Sequence, residues 1–176
     1  MRWGKFTVVT LFLLLFFQGT VYGAVPTALD IYNAIKPLQT GVDLQVAYDL
    51  LGPSHEAGKR EGESLPFYWY FETGSTATNI PTNAAIVILT RNNSTIHSTA
   101  YIEQFKHAES ANQRYKDLEK GFNEIFGDAF GGREYAVYWG IEDFRFALHL
   151  DYLDEFPPPG QLRTEIIVSY YSRKRE

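Results

Sequence analysis

Two side chains near the C-terminal end of the chain have the types and spacing that acid–base or metal chemistry requires. His149 and Asp151 are two residues apart in a stretch that alternates apolar and polar residues, so both are predicted on one face of a strand, with Arg145 beside them. An imidazole and a carboxylate can exchange protons or bind a divalent metal. Two ligands without a third do not define a site, and the pair fits the solvated side of an amphipathic strand better.

Other patterns typical of catalysis do not occur in the sequence. There is no G-x-S-x-G, H-E-x-x-H or P-loop motif, and the glycine-rich stretch 127–132 follows a predicted helix, where it does not place a phosphate at a helix N-terminus. The absence of cysteine excludes disulfides, thiolate metal sites and a cysteine nucleophile. The sequence therefore predicts no cofactor and no metal, and favours a non-catalytic protein. The alternative is a small hydrolase or metal-dependent enzyme that uses His149 and Asp151.

Tyrosines form a second candidate site. Tyrosine combines rigid contact area with a hydroxyl group and is enriched at binding surfaces. One alternative is that tyrosine is simply common in strands. Another is that a loop, 74–82 or 156–160, covers the rings. The predicted binding surface combines tyrosines on strand faces away from the apolar rows with three polar residues between them: Tyr68, Tyr70, Tyr101, Tyr138, Arg145, His149 and Asp151.

The first 23 residues are predicted to be a secretory signal peptide. Arg2 and Lys5 precede an apolar run over 8–17, and Val21 and Gly23 fit the pattern for cleavage after Gly23. The run is about half of the ~20 residues that a transmembrane helix needs, so we expect no transmembrane anchor. An uncleaved signal-anchor is the alternative. The mature protein is predicted to be exported, in the periplasm or outside the cell.

The charge balance indicates the class of partner. The chain has 16 Lys+Arg and 21 Asp+Glu, a net charge of −5, and it becomes more acidic when Arg2 and Lys5 leave with the signal. Nucleic-acid binding depends on clustered cations, so we expect no nucleic-acid partner. Another protein is the predicted partner, and the oligomeric state stays open.

The remaining chain, 24–176, is predicted to form a single α+β domain. Thr27 with Asp30 and then Asp43 are expected to cap two short helices, and Ser110 with Gln113 a third, longer one. Gly52 and Gly127 are expected to end the second and third helices. The element order is α-α-β-β-β-α-β-β-β, which indicates a largely antiparallel sheet with helices on one face. Strands are predicted over 67–71, 84–89, 96–105, 134–139, 144–152 and 164–171.

The two halves of the mature chain, 27–105 and 107–172, resemble each other. Each contains a helix that ends in an apolar residue and a glycine, at Gly52 or Gly127, followed by a polar connection and a strand that carries Trp69 or Trp139. The sequence therefore predicts two similar units, and coincidence of common turn chemistry is the alternative.

The stretch 41–71 resembles the SmpA/OmlA (BamE-like) outer-membrane assembly family. The resemblance rests on Gly41-Val42-Asp43-Leu44, on Leu50-Leu51-Gly52-Pro53 and on Trp69-Tyr70-Phe71. The related fold of the beta-lactamase inhibitor protein holds two such units in tandem. Two features depart from the family: Ala47 stands where a larger aliphatic residue is usual, and there is no cysteine to carry a lipid. The resemblance implies this fold and a location in the cell envelope more than it implies the family's role in assembly.

Overall fold

The structure is a computed structural model, and it describes residues 25–57, 64–72, 81, 83–91, 94–133, 135–141, 144–152 and 164–172. The predicted signal peptide and its cleavage site lie outside the described residues. The two loops proposed as covers for the tyrosines also lie outside them, except for Pro81.

Two short helices begin where the sequence places their caps. In α1, Ala28–Ile35, the Thr27 hydroxyl accepts from the backbone N–H of Asp30, and the Asp30 carboxylate accepts from the N–H of Thr27. A 3-10 turn, Lys36–Leu38, follows. In α2, Leu44–Leu51, the carboxylate of Asp43 accepts from a backbone N–H in the first turn. Both caps satisfy N–H groups that the helix leaves unpaired, and both predictions are confirmed.

The long helix α3, Ala108–Phe126, starts earlier than its predicted cap. His107 is the N-cap residue and makes no side-chain capping bond, so the predicted capping box of Ser110 and Gln113 is wrong. Both residues already lie within the helix, where Gln113 donates to the Asp117 carboxylate at 2.9 Å. The buried stripe of Ala111, Tyr115, Leu118 and Phe122 holds the helix on the sheet.

All strand pairs run antiparallel, which confirms the predicted α+β fold with an antiparallel sheet. The sheet order is β1-β2-β3-β4-β8-β7-β6-β5, and the two outermost strands, β1 and β5, are short pieces that the sequence did not predict. The strands are β1 (Glu56–Ala57), β2 (Ser64–Glu72), β3 (Asn83–Arg91), β4 (Thr95–Phe105), β5 (Gly131–Arg133), β6 (Ala136–Ile141), β7 (Phe144–Tyr152) and β8 (Thr164–Ser172).

The helices pack on one face of this sheet, and the core lies between them. Phe122 of α3 contacts Phe146 of β7 edge to face, with ring centroids 4.7 Å apart. Tyr48 of α2 packs on Trp69 of β2, with centroids 6.0 Å apart. Helices α1 and α3 meet at Gly121, where an added Cβ would lie 2.7 Å from the side chain of Ala28. Only glycine permits this close approach.

A β-bulge in β4 places Tyr101 on the opposite face of the sheet from the one predicted. Ile96 pairs with Thr90 while Ser98 pairs with Leu89, so His97 is an extra residue in β4. The extra residue moves the side chains after it to the opposite faces. Tyr101 therefore lies on the helix side and is 7% exposed, and its predicted place on the open face is wrong.

Ala147 lies on the sheet face away from the helices and is nevertheless fully buried. It pairs with Tyr138 on one side and Ser169 on the other. A methyl group is shorter than the tyrosine beside it, so its neighbours shield it. The alternation of β7 is as predicted, but a position on this face is not always a surface position.

The two halves of the chain repeat one set of contacts. The indole N–H of Trp69 donates to the Gly52 carbonyl at 3.0 Å, and that of Trp139 donates to the Gly127 carbonyl at 3.1 Å. Three residues after each glycine, a backbone N–H donates to the carbonyl of the residue before the tryptophan, at 2.9 Å and 3.0 Å. The sheet order is also symmetric about the β4–β8 pair.

Candidate functional site

The outer face is the side of the sheet that the described helices leave uncovered. One cross-strand row runs across six strands of this face and has a tyrosine at each end, with smaller side chains between. With strands 4.7–4.9 Å apart, the two tyrosines are separated by about 24 Å along the sheet. The row therefore forms a shallow trough with aromatic ends. Its members are Tyr68, Val87, Ala100, Ser169, Ala147 and Tyr138.

The neighbouring row makes the centre of the outer face aliphatic. Ala85, Ile102 and Ile167 lie side by side on β3, β4 and β8, and His149 follows on β7. Ile102 and Ile167 are half-buried, where an ordinary open sheet face carries polar side chains. Tyr70 lies opposite Ala85 in the register, and its side chain is outside the described part of the structure.

The Tyr138 cluster, formed by Phe130, Tyr138, Arg145 and His149, occupies one end of the trough. The Tyr138 ring lies between two polar groups, with the guanidinium carbon of Arg145 5.9 Å from its centroid and the His149 ring 5.5 Å away at 82°. Phe130 completes the cluster, 6.5 Å from Tyr138 and 5.8 Å from the Arg145 carbon. These distances are typical of cation–π and edge-to-face contacts. The contacts hold the Arg145 side chain in place.

His149 is held in its neutral form more strongly than an exposed histidine. Burial lowers its pKa below the ordinary value of 6.5, and the opposing effect of Asp151 is smaller. A neutral imidazole could bind a metal, but no group of three His, Asp or Glu side chains converges within the described parts of the chain. His149 and Asp151, on which the enzyme alternative depends, therefore lie on one face of the strand, and no third ligand joins them among the described residues.

A buried acidic residue of β4, Glu103, lies on the opposite face of the sheet from His149 and Asp151. Glu103 lies on the helix side, fully buried, where Arg114 of α3 binds its carboxylate with two hydrogen bonds of 2.7 and 2.8 Å. The Tyr101 hydroxyl donates to the same carboxylate at 3.1 Å. Burial and the charge of Glu103 raise the pKa of Tyr101 well above 10.0. Burial alone would lower the pKa of Arg114, but Glu103 overrides this effect and raises it. The network joins α3 to β4.

A cleft opens beside the Tyr138 cluster at the end of the sheet. It has a volume of about 450 Å³ and contains both an acidic and a basic side chain, Asp128 and Arg145. Its remaining lining comes from the end of α3, the following loop and β6, namely Phe126, Phe130, Trp139 and Gly140.

The structure brings some of the predicted residues together and separates others. Tyr138, Arg145 and His149 form one cluster, exposed Asp151 follows along β7, and Tyr68 lies at the far end of the trough. Sequence reasoning missed Phe130, which is 60% exposed. A large aromatic residue beside two glycines was the available signal. It also missed the aliphatic centre around Ile102, because the bulge reversed the faces of β4.

No family model, no curated protein and no solved structure matches the chain. The resemblance to the SmpA/OmlA family therefore stays a prediction. Among the residues that the structure describes, no helix combines the length and apolar character needed to span a membrane. The chain has no cysteine that could carry a lipid.

Proposed function

We propose that this chain is an exported, non-catalytic protein that binds another protein through the outer face of its sheet. The observation that supports this most strongly is the row from Tyr68 to Tyr138, two aromatic ends around small central side chains. On a sheet face that is open to water, the strand positions usually carry polar residues such as Thr, Lys and Glu. Here half-buried aliphatic residues such as Ile102 and Ile167 take those positions.

The width of the trough fits a folded protein segment. An α-helix with its side chains is about 10–12 Å across, and the trough spans about 24 Å between its tyrosines. Tyrosine and arginine are the side chains most enriched where protein interfaces gain their affinity, and both occur in the Tyr138 cluster. A role in envelope assembly is consistent with the predicted signal peptide and with the family resemblance.

Alanine variants of the two end tyrosines test the proposal. Tyr68→Ala and Tyr138→Ala remove the aromatic ends without touching the helix-side core, so the variants should fold and should lose partner capture, each by about 2 kcal/mol or more. Lys120→Ala, on the exposed side of α3, is the control and should capture normally. Variants that unfold while their folded fraction still captures the partner would show that the tyrosines serve stability instead.

A further inference from the structure

Arg145 is a preorganised cation that has no anionic partner among the residues that the structure describes. Its guanidinium carbon lies 5.8 Å from the Phe130 centroid and 5.9 Å from the Tyr138 centroid, and the side chain lines the cleft beside them. Among the described residues it makes no salt bridge and no hydrogen bond, and its Nε–H is buried without an acceptor. Every other buried polar side-chain atom in the described structure has a partner, except the Tyr115 hydroxyl.

The aromatic rings determine which ligand the guanidinium can take. A guanidinium packed against rings keeps its N–H groups directed along its own plane, and a planar carboxylate matches those groups with two parallel hydrogen bonds. A buried donor without an acceptor destabilises the free protein. A ligand that supplies an acceptor to Arg145 removes this cost, and its binding is favoured by that amount. The geometry therefore favours an anion with a planar, two-oxygen head group.

We infer that the cleft binds the carboxylate of an aspartate or glutamate side chain presented by the partner protein, with Arg145 as its anchor. This inference rests on the proposed function, because the cleft continues the outer face at Tyr138. Asp128 lines the same cleft and repels anions, which disfavours a phosphate dianion more than a single carboxylate. Exposed Phe130 supplies an apolar wall for the methylene groups of the incoming side chain.

Titration of the mature chain with small model compounds tests the inference without the partner. The probes are N-acetyl-glutamate N-methylamide, the corresponding glutamine compound, which has no charge, and inorganic phosphate. NMR follows the Arg145 Nε–H signal and the ring signals of Phe130 and Tyr138. We expect saturable shifts with the glutamate compound, at least about tenfold weaker binding of the glutamine compound, and weaker binding of phosphate.

Variants assign the effect to the cleft. Arg145→Lys keeps the charge but loses the planar fork, and it should weaken glutamate binding about tenfold or more; Asp128→Asn should strengthen it. Arg91→Lys, on β3, is the matched control and should change nothing. Equal binding of the glutamate and glutamine compounds, tighter binding of phosphate, or unchanged binding in Arg145→Lys would overturn the inference. The proposed function has its own readout, because Tyr68→Ala alters partner capture without touching this cleft.

Discussion

Trp69 donates its indole N–H to the carbonyl oxygen of Gly52 at 3.0 Å, and this bond joins the end of α2 to the sheet. Gly52 has φ +79° and ψ −168°, a backbone conformation that is essentially restricted to glycine. Gly127, which accepts from Trp139, has φ +79° and ψ −172°. The two glycines therefore turn the chain in the same way and present the same acceptor to an equivalent tryptophan.

Replacing either glycine should destabilise the protein to a similar degree. A Cβ at Gly52 or Gly127 meets no atom within 4 Å, so the cost comes from the backbone conformation, about 1–3 kcal/mol for Gly52→Ala and for Gly127→Ala. Denaturant unfolding measures it. Gly131→Ala, where φ is ordinary and the space is open, is the control and should stay within about 0.5 kcal/mol. A negligible loss of unfolding free energy in either variant would show that alanine adopts this backbone conformation without strain.

The Arg114–Glu103 pair should be far more costly to break than to replace. Arg114→Met leaves a fully buried carboxylate without its cation, which we expect to cost about 3–5 kcal/mol, whereas the double variant with Glu103→Leu should recover most of the loss. Chemical unfolding of both variants gives the comparison. Lys116→Met, exposed on the same helix, should be nearly neutral. A double variant no better than Arg114→Met would contradict this account of the pair.

Two buried tyrosines should respond in opposite ways to loss of their hydroxyl. Tyr101→Phe removes a bond to the charged Glu103 and should cost about 1.5–3 kcal/mol. Tyr115→Phe removes a buried hydroxyl that has no partner in the described part of the chain, and the protein should be equally stable or more stable. Burial raises the pKa of Tyr115 to about 12, consistent with this unfavourable environment. Thermal unfolding of the pair decides the point, and equal losses would exclude the predicted difference.

The stability of the protein should fall in mild acid because of His149. Unfolded, this histidine takes up its proton near pH 6.5, whereas the folded protein takes it up only at lower pH, since burial lowers the pKa. The unfolded state therefore binds more protons as the pH falls through 6.5, and stability decreases. His149→Gln should reduce this slope between about pH 7.5 and pH 5. An NMR titration that places the pKa of His149 above 6.5 would contradict the argument.

The sequence predicted the element order well because most elements carry local signals. Thr27, Asp43, Gly52 and Gly127 mark helix ends through capping chemistry that depends on a few neighbouring residues. The short edge strands β1 and β5 carry no such signal, because they form only by pairing with β2 and β6. Their existence depends on tertiary structure.

The candidate site was harder to predict, because it depends on register. The extra residue at His97 is invisible to an alternation pattern, and it transferred Tyr101 and Glu103 to the core. The gathering of Tyr138, Arg145 and His149 was partly predictable, since β6 and β7 are consecutive strands. The approach of Phe130 required the actual path of the loop after α3.

Site-specific photocrosslinking in cells that produce the protein tests the central claim most directly. A photoreactive residue placed at Val87 lies within the trough, one strand away from Tyr68, and one placed at Lys120 lies on the exposed side of α3. We expect a discrete adduct with another protein from position 87, and no such adduct from position 120. The adduct should be lost when Tyr68 and Tyr138 are both changed to alanine in a chain that still folds. Adducts from position 120 alone, or an adduct at 87 that survives loss of both tyrosines, would contradict the claim that the outer face binds the partner.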